Sequence, residues 1–416
     1  MREMKPSSME WIGDIPLSWK VMPNKYLMRK KKEICPVYNG EDILSLTMKG
    51  VIVRDLDAGG KMPASFDGYQ RLQPGNLLMC LFDIDVTPRC IGLIKQAGIS
   101  SPAYSQFVLS DGADAAYYCY YYTMLDNDKT LLHLAKNLRH SLTEDQLGAI
   151  PVIVPPTDEQ RRIAAFLDAK CVEIDALTAD IQTQIDTLEQ YKRSVITETV
   201  TKGLNPDAEM KDSGIEWVGA IPAHWSIHPV YTYFGERKNK NSFGREDNLL
   251  SLSYGRVIRK DINTSDGLLP ESFNTYNIVE AGDIIIRPTD LQNDKRSLRT
   301  GLVREHGIIT SAYIDLYPLK KVDSRYFHFL LHAYDIMKVF YNMGNGVRQG
   351  LNYSEFSRLM VFEPPYDEQV AMADYLETKV EEVDTIIGQK KEQMAVLDAY
   401  KRSLIFEYVT GKKEVV

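Results

Sequence analysis

A chain of 416 residues with 44% apolar and 25% charged side chains is too long for one core and too apolar to stay disordered. Its formal net charge of −8 excludes a strongly basic surface that would steer onto nucleic acid by charge alone. No apolar run approaches the ~20 residues of a membrane span, and the first residues lack the apolar segment of a secretory signal, so the expectation is a soluble, cytoplasmic protein of two or more domains.

The first recognisable element is Met9-Glu-Trp-Ile-Gly-Asp-Ile-Pro16, followed by Trp19. A basic run, Arg29 to Lys32, comes next. Ile43 to Leu46 and Leu77 to Phe82 are short apolar runs bounded by Gly, Pro, Asp and Asn, the pattern of strands. The segment Phe82-Asp-Ile-Asp-Val-Thr-Pro-Arg89 reads as a polar loop between Gly75 and Gly92. A helix is predicted from Ala115 to Lys136, and Arg139 follows it just before an apolar strand. Pro155-Pro156 breaks the chain, and Asp158-Glu-Gln160 opens a long helix where negative charge favours an N-terminus. The five cysteines, Cys35, Cys80, Cys90, Cys119 and Cys171, are odd in number and widely spaced, so buried reduced thiols are expected.

Everything then recurs. Ile215-Glu-Trp-Val-Gly-Ala-Ile-Pro222 with Trp225 repeats the opening at an offset of 206, and Leu250-Ser-Leu252 repeats Leu44-Ser-Leu46. From Gly92 onward the offset is 209: Pro364-Pro365, Asp367-Glu-Gln369 and Tyr400-Lys-Arg-Ser403 repeat Pro155-Pro156, Asp158-Glu-Gln160 and Tyr191-Lys-Arg-Ser194. A period near 207 is a duplication of domains, not a solenoid. The expected organisation is a module at 1–157, a helix at 158–203, a second module at 204–366 and a second helix at 367–416. Each module is mixed α/β (α+β).

Both helices carry alternating spacings of three and four. In the first the predicted seam is Ile174, Leu177, Ile181, Gln184, Leu188, Tyr191 and Val195. In the second it is Val383, Ile386, Lys390, Gln393, Leu397, Tyr400 and Leu404. A one-sided seam on a helix of roughly 60 Å would stay wet alone, so the two helices are expected to pair within the chain. Residues 158–203 and 367–413 hold six of the eight net negative charges, and the modules are close to neutral. Local basic clusters remain, at Arg29 to Lys32, at Arg237, Lys238, Lys240 and Arg245, and at Lys295, Arg296 and Arg299.

Motifs of chemistry do not survive inspection. Glu363-Pro-Pro-Tyr366 has the letters of an adenine-methyltransferase motif. Its counterpart ends in Thr157, however, and no cofactor loop accompanies it, so a Pro-Pro helix break is the reading. Pro206 to Lys211 holds the letters of a nuclease motif at a spacing too short for a metal site. His328 and His332 lie i, i+4 on a helix among apolar neighbours, which favours packing over metal. No phosphate loop occurs. Neither a catalytic site nor a metal site is expected.

The halves differ most between Gly75 and Gly92 and between Gly282 and Gly301, where the second is two residues longer. Arg89 in one loop, and Arg287, Gln292, Asn293, Lys295, Arg296 and Arg299 in the other, are residue types that hydrogen-bond base edges or phosphates. Arg139 and Arg348, with Gln349 beside the latter, occupy equivalent places after a helix and suit phosphate contacts.

The E-W-x-G-x-I-P-x-x-W opening, the P-P-x-x-E-Q helix entry and the duplication of both resemble the specificity subunit of type I restriction-modification systems. The resemblance covers essentially the whole chain. It implies two target recognition domains, each reading one half of a bipartite double-stranded DNA site. It also implies two spacer helices paired as an antiparallel coiled coil, with pseudo-twofold symmetry. The family is non-catalytic. It assembles with two methylation subunits, which use S-adenosylmethionine, and with two restriction-translocase subunits, which use ATP and Mg; the specificity chain binds no cofactor itself. Two other readings of the residues stay open. One is a pseudo-symmetric protein adaptor without DNA contact. The other is an enzyme in which Glu363 to Tyr366 is a methyltransferase remnant.

Overall fold

The computed structural model describes residues 2–57, 63–135, 140–263, 272–289, 291, 298–339 and 350–415. Two compact units emerge: Met1–Ile181 with Lys391–Val416, and Gln182–Lys390. Each unit therefore contains one module and part of both long helices.

In the first unit a four-stranded antiparallel sheet runs in the order Met28–Lys31, Ser105–Leu109, Leu77–Met79, Ile91–Leu93. The strand Leu77–Met79 is buried on both faces. Its alternation sorts the side chains: Leu77 and Met79 join the main core, while Leu78 joins a second cluster with Leu44, Leu72 and Ile94. The main core is closed by the helix Ala115–Asn127, which buries Tyr117, Tyr118, Tyr121 and Tyr122. The second cluster lies under a hairpin, Leu44–Thr47 paired with Gly50–Val53. Gly92 permits that packing, since a Cβ there would stand 2.8 Å from the side chains of Leu46 and Val51.

The second unit repeats the plan. Its sheet order is Phe234–Glu236, Ile314–Pro318, Ile284–Ile286, Thr300–Leu302. Ile284 and Ile286 face the main core and Ile285 the smaller cluster. The helix Ser324–Ile336 closes the core, and the hairpin Leu250–Ser253 with Arg256–Arg259 covers the other face. Gly301 takes the place of Gly92, with a Cβ position 2.5 Å from Leu252.

The module helices are shorter than the ranges the sequence predicts, Ala115 to Lys136 and, at the equivalent place in the second half, Ser324 to Asn345. The first ends at Asn127 and a separate turn, Thr130–Leu134, follows; the second ends at Ile336. Lys129 and Lys338 adopt positive φ, 52° and 60°, which stops a right-handed helix. Just before each break a buried carboxylate, Asp126 or Asp335, accepts from the backbone N–H of Cys90 or Arg299.

The two repeated motifs explain each other. The indole Nε1–H of Trp19 donates to Glu159 at 2.9 Å, and that of Trp225 to Glu368 at 3.0 Å. Gln160 and Gln369 each donate to the carbonyl of the first Pro of the Pro-Pro pair, at 2.8 and 2.9 Å, and accept the N–H of Asp114 or Asp323. Asp114 and Asp323 in turn cap the module helices. The motif residues thus fasten each module to the start of its helix.

The long helices span Thr157–Lys202 and Tyr366–Val409. In the first unit Phe166 packs on Tyr408 and Lys401 donates to Asp175 at 2.6 Å. In the second, Lys192 donates to Asp384 at 2.7 Å, and Lys390 to Gln184. Within either unit, advancing along one helix means retreating along the other, so the pairing is antiparallel. The seam has the predicted period, but half of it is displaced. Ile174, Ile181, Leu188, Val383 and Leu397 point inward, while Leu177, Gln184, Tyr191, Ile386, Gln393 and Tyr400 are exposed. Leu177 is 47% and Tyr191 50% exposed, whereas Ile185 and Ile387 are buried at 5% and 4%. The inward positions lie one residue later, at Thr178, Ile185, Lys192, Ile387, Met394 and Lys401. The apolarity of Leu177 and Tyr191 misdirects a pattern reading, because Lys192 and Lys401 lie half-buried with their ammonium groups on acidic partners.

Candidate nucleic-acid interface

The loop joining Leu77–Met79 to Ile91–Leu93 is held from several sides. The N–H groups of Val86 and Thr87 both donate to the carbonyl of Asp83, at 3.2 and 2.9 Å, across a turn in which Asp83 has φ 47°. Lys129 Nζ donates to the carbonyls of Thr87 at 2.9 Å and Ile84 at 3.4 Å. The N–H of Ile84 donates to the carbonyl of His140, and the ring of His140 lies 3.0 Å from Asp85, whose carboxyl it holds below the usual range. The Cys80 thiol, pushed up by burial, donates to the carbonyl of Phe82 at 3.3 Å. Phe82 stacks on Tyr104 with centroids 6.4 Å apart and planes 18° apart. Between this loop and the hairpin tip at Met48 lies a cleft of about 320 Å³, walled by Met48, Cys80, Phe82, Val86, Thr87 and Tyr104. Sequence reading located the loop but missed the hairpin and Tyr104. The signals available are Leu44-Ser-Leu46, repeated at Leu250-Ser-Leu252, and Ala103-Tyr104, repeated at Ala312-Tyr313.

Of the ten predicted contact residues, three are described. Arg89 borders the cleft, but its guanidinium lies on Asp126 at 3.3 Å and Asn127 at 3.0 Å, so it braces the loop. Arg287 is half-buried at the framework position of Cys80. Arg299 is a correction: its side chain is fully buried, with the guanidinium donating to the carbonyls of Thr289 and Arg287, so it cannot touch DNA. It was misread because it sits in a basic run, whereas its counterpart Cys90 is a core residue. Arg139, Gln292, Asn293, Lys295, Arg296, Arg348 and Gln349 lie outside the described residues.

The basic clusters divide similarly. Arg237 makes a two-pronged ion pair with Asp283, at 2.8 and 3.1 Å, and lies over Tyr317, so it is structural. Lys30 pairs with Glu144 and Lys31 with Gln73, while Arg29 on the sheet's edge strand and Lys32 just past its end are exposed.

The motifs set aside on sequence grounds have structural places. Glu363 accepts from Ser226, Tyr233 and Lys320, at 3.1, 3.0 and 3.0 Å. Lys211 donates to the carbonyl of Trp225. His328 and His332 are half-buried with ring centroids 6.0 Å apart, and one ring nitrogen of each is shut away from solvent. Burial, with the neighbouring charge, pushes them down to about 3 and about 4. Among the described residues no group of three or more His, Cys, Asp or Glu could hold a metal ion, and no helix is long and apolar enough to cross a membrane.

No family model matches the chain. Two relatives from Methanocaldococcus jannaschii do. The putative type I restriction enzyme MjaX specificity subunit is 24% identical over 287 residues, 66% of this chain and 62% of that protein. The type I restriction enzyme MjaVIII specificity subunit is 22% identical over 284 residues, 64% of this chain and 63% of that protein. The match thus spans just under two thirds of either relative's length. A solved chain from a study of complex assembly and conformational transition of the type I restriction-modification system aligns with a TM-score of 0.68 and 13% identity, over 96% of this chain and 99% of that one. This chain has that fold.

Proposed function

We propose that this chain is the non-catalytic specificity subunit of a type I restriction-modification complex, each module reading one half of a bipartite DNA site. The observation that carries the reading is the pair of equivalent frameworks, fastened to their helices by the same Trp–Glu bond, with unlike sequences in the loop after the central strand. A shared framework with different loops is what two readers of different sequences require. The similarity to two specificity subunits supports it. Phosphate affinity then comes from exposed cations such as Arg29 and Lys32 and from partner subunits.

The partners are two methylation subunits and two restriction-translocase subunits, in the cytoplasm; S-adenosylmethionine, ATP and Mg belong to them. The displaced helix positions supply matching docking faces. Leu177 and Ile386 are equivalent in the duplication, as are Tyr191 and Tyr400, and all four are exposed. In one unit Tyr400 is within electrostatic reach of Lys170, which pairs with Glu173; in the other Tyr191 stands in the same relation to Lys379, which pairs with Glu382. Two like faces suit two copies of one partner.

Mapping methylated adenines in the host with and without this gene tests the function. Loss of one bipartite motif on deletion is the expected result. An unchanged pattern, with the purified complex showing no sequence preference, would leave the adaptor reading instead.

A further inference from the structure

We propose that the cleft between the Met48 hairpin tip and the Phe82–Arg89 loop receives the 5-methyl group of a thymine, so that the first module reads a T·A pair by apolar contact. This rests on the DNA-reading function proposed above. Its basis is the chemistry of the cleft. Met48, Phe82 and Val86 form its rim and are exposed, Val86 at 73%, on a loop braced by Lys129, His140 and the Asp83 turn. Rigid apolar groups presented outward are preorganised for contact, with little ordering left to do on binding. The base edges of the major groove offer donors, acceptors and one apolar group, the thymine methyl. An apolar rim discriminates only through the last.

An extruded base does not fit as well. An inserted base would have to part Phe82 from Tyr104, whose near-parallel rings stack on each other. The neighbouring turn residue Lys49 is exposed and places a cation beside the cleft. The second module provides the contrast within one molecule. There Arg287 and Thr289 replace Cys80 and Phe82 at the same framework positions, so that site is not apolar.

The test uses the complex reconstituted with its methylation subunits, on duplexes carrying its own methylation motif. Each thymine in both half-sites is replaced singly by deoxyuridine, which removes only the methyl group. One position in the half-site of the first module is expected to lose about fourfold in affinity, the value of one buried methyl, and none in the other half-site. Val86→Ser, a change at an exposed tip, should abolish that loss, so that the variant binds the thymine and the deoxyuridine duplexes equally. Sequence-specific binding that is indifferent to deoxyuridine at every position overturns the thymine proposal alone. A deoxyuridine effect that persists in Val86→Ser also overturns it. Absence of any sequence preference overturns the proposed function and this inference together.

Discussion

Three residues of the second module, the buried Asp315 and the half-buried pair His328 and His332, make its stability depend on pH, and their counterparts in the first module show why. Asp315 stands where the first module has Gln106. Gln106 accepts from Asn76 and Gln73, at 2.9 and 2.8 Å, whereas the Asp315 carboxylate has no hydrogen-bond donor among the described residues. Burial first, and then the Asp283 carboxylate, push Asp315 up to about 8. A carboxyl raised in the folded state binds a proton that the unfolded chain releases near 4. Its contribution is therefore intact below about pH 4 and is lost progressively as pH rises to about 8. Asp315→Asn should leave stability unchanged at pH 4 and raise it increasingly up to pH 8, with a slope of at most about 1.4 kcal/mol per pH unit. Urea denaturation at pH 4, 6 and 8 reads this, and a gain independent of pH would refute it. The histidine pair acts in the opposite direction. His328 and His332, lowered in the fold, cost nothing above about pH 6.5 and destabilise as pH falls below it. Replacing them by Cys and Thr, the residues at 119 and 123 in the first module, should remove the acid loss between pH 6.5 and 4. The same denaturation series checks it: an acid loss of unchanged size would assign it elsewhere.

At the scale of elements, the helix seam separates burial from apolarity. Ile185 is buried in the second unit and Leu177 is exposed in the first, although a three-four pattern read from the sequence prefers Leu177. Ile185→Ala should cost about 2–4 kcal/mol in the free chain, and Leu177→Ala less than about 0.5 kcal/mol. Equal losses in chemical denaturation would restore the original seam. If the exposed set docks the methylation subunits, Leu177→Ala and Ile386→Ala should instead weaken assembly, measured by sedimentation of the mixed subunits. Period and starting points of these helices were legible, because they depend on local spacing and on Pro-Pro, whereas the second helix stops at Val409 and does not run to 416. The phase of the seam was not, because Lys192 and Lys401 enter it through carboxylates supplied by the other helix. The loop after the central strand was legible as a divergence between repeats. Burial of Arg299 was not, since its acceptors are carbonyls fixed by the folded loop.

At the scale of the molecule, the duplication is closed through the chain's end. In the first unit Leu404, Ile405 and Val409 belong to the core of the N-terminal module, and Tyr117 donates to the carbonyl of Val409 at 2.8 Å. Gly411 lies against Pro16 and Trp19, as Gly203 lies against Pro222 and Trp225 in the second unit. Lys412 donates to the carbonyl of Asp14, as Lys202 does to that of Ala220. The last residues of the chain thus complete the first module as Thr199 to Gly203 complete the second. No spacing in the sequence announces this, because the partners are some 400 residues apart in a chain of 416. Exchange of recognition modules must respect it. A graft of 1–157 from another such subunit that keeps Trp19, Tyr117, Glu159 and Gln160 in place preserves both the Trp–Glu bond and the seat of the C-terminal helix. Its methylome should then carry a new sequence in one half of the bipartite site and the original in the other. Change in both halves would mean that the modules do not read independently. A graft lacking those anchors should lose folding of the first unit before any change of specificity appears, and a separate early melting step would report that.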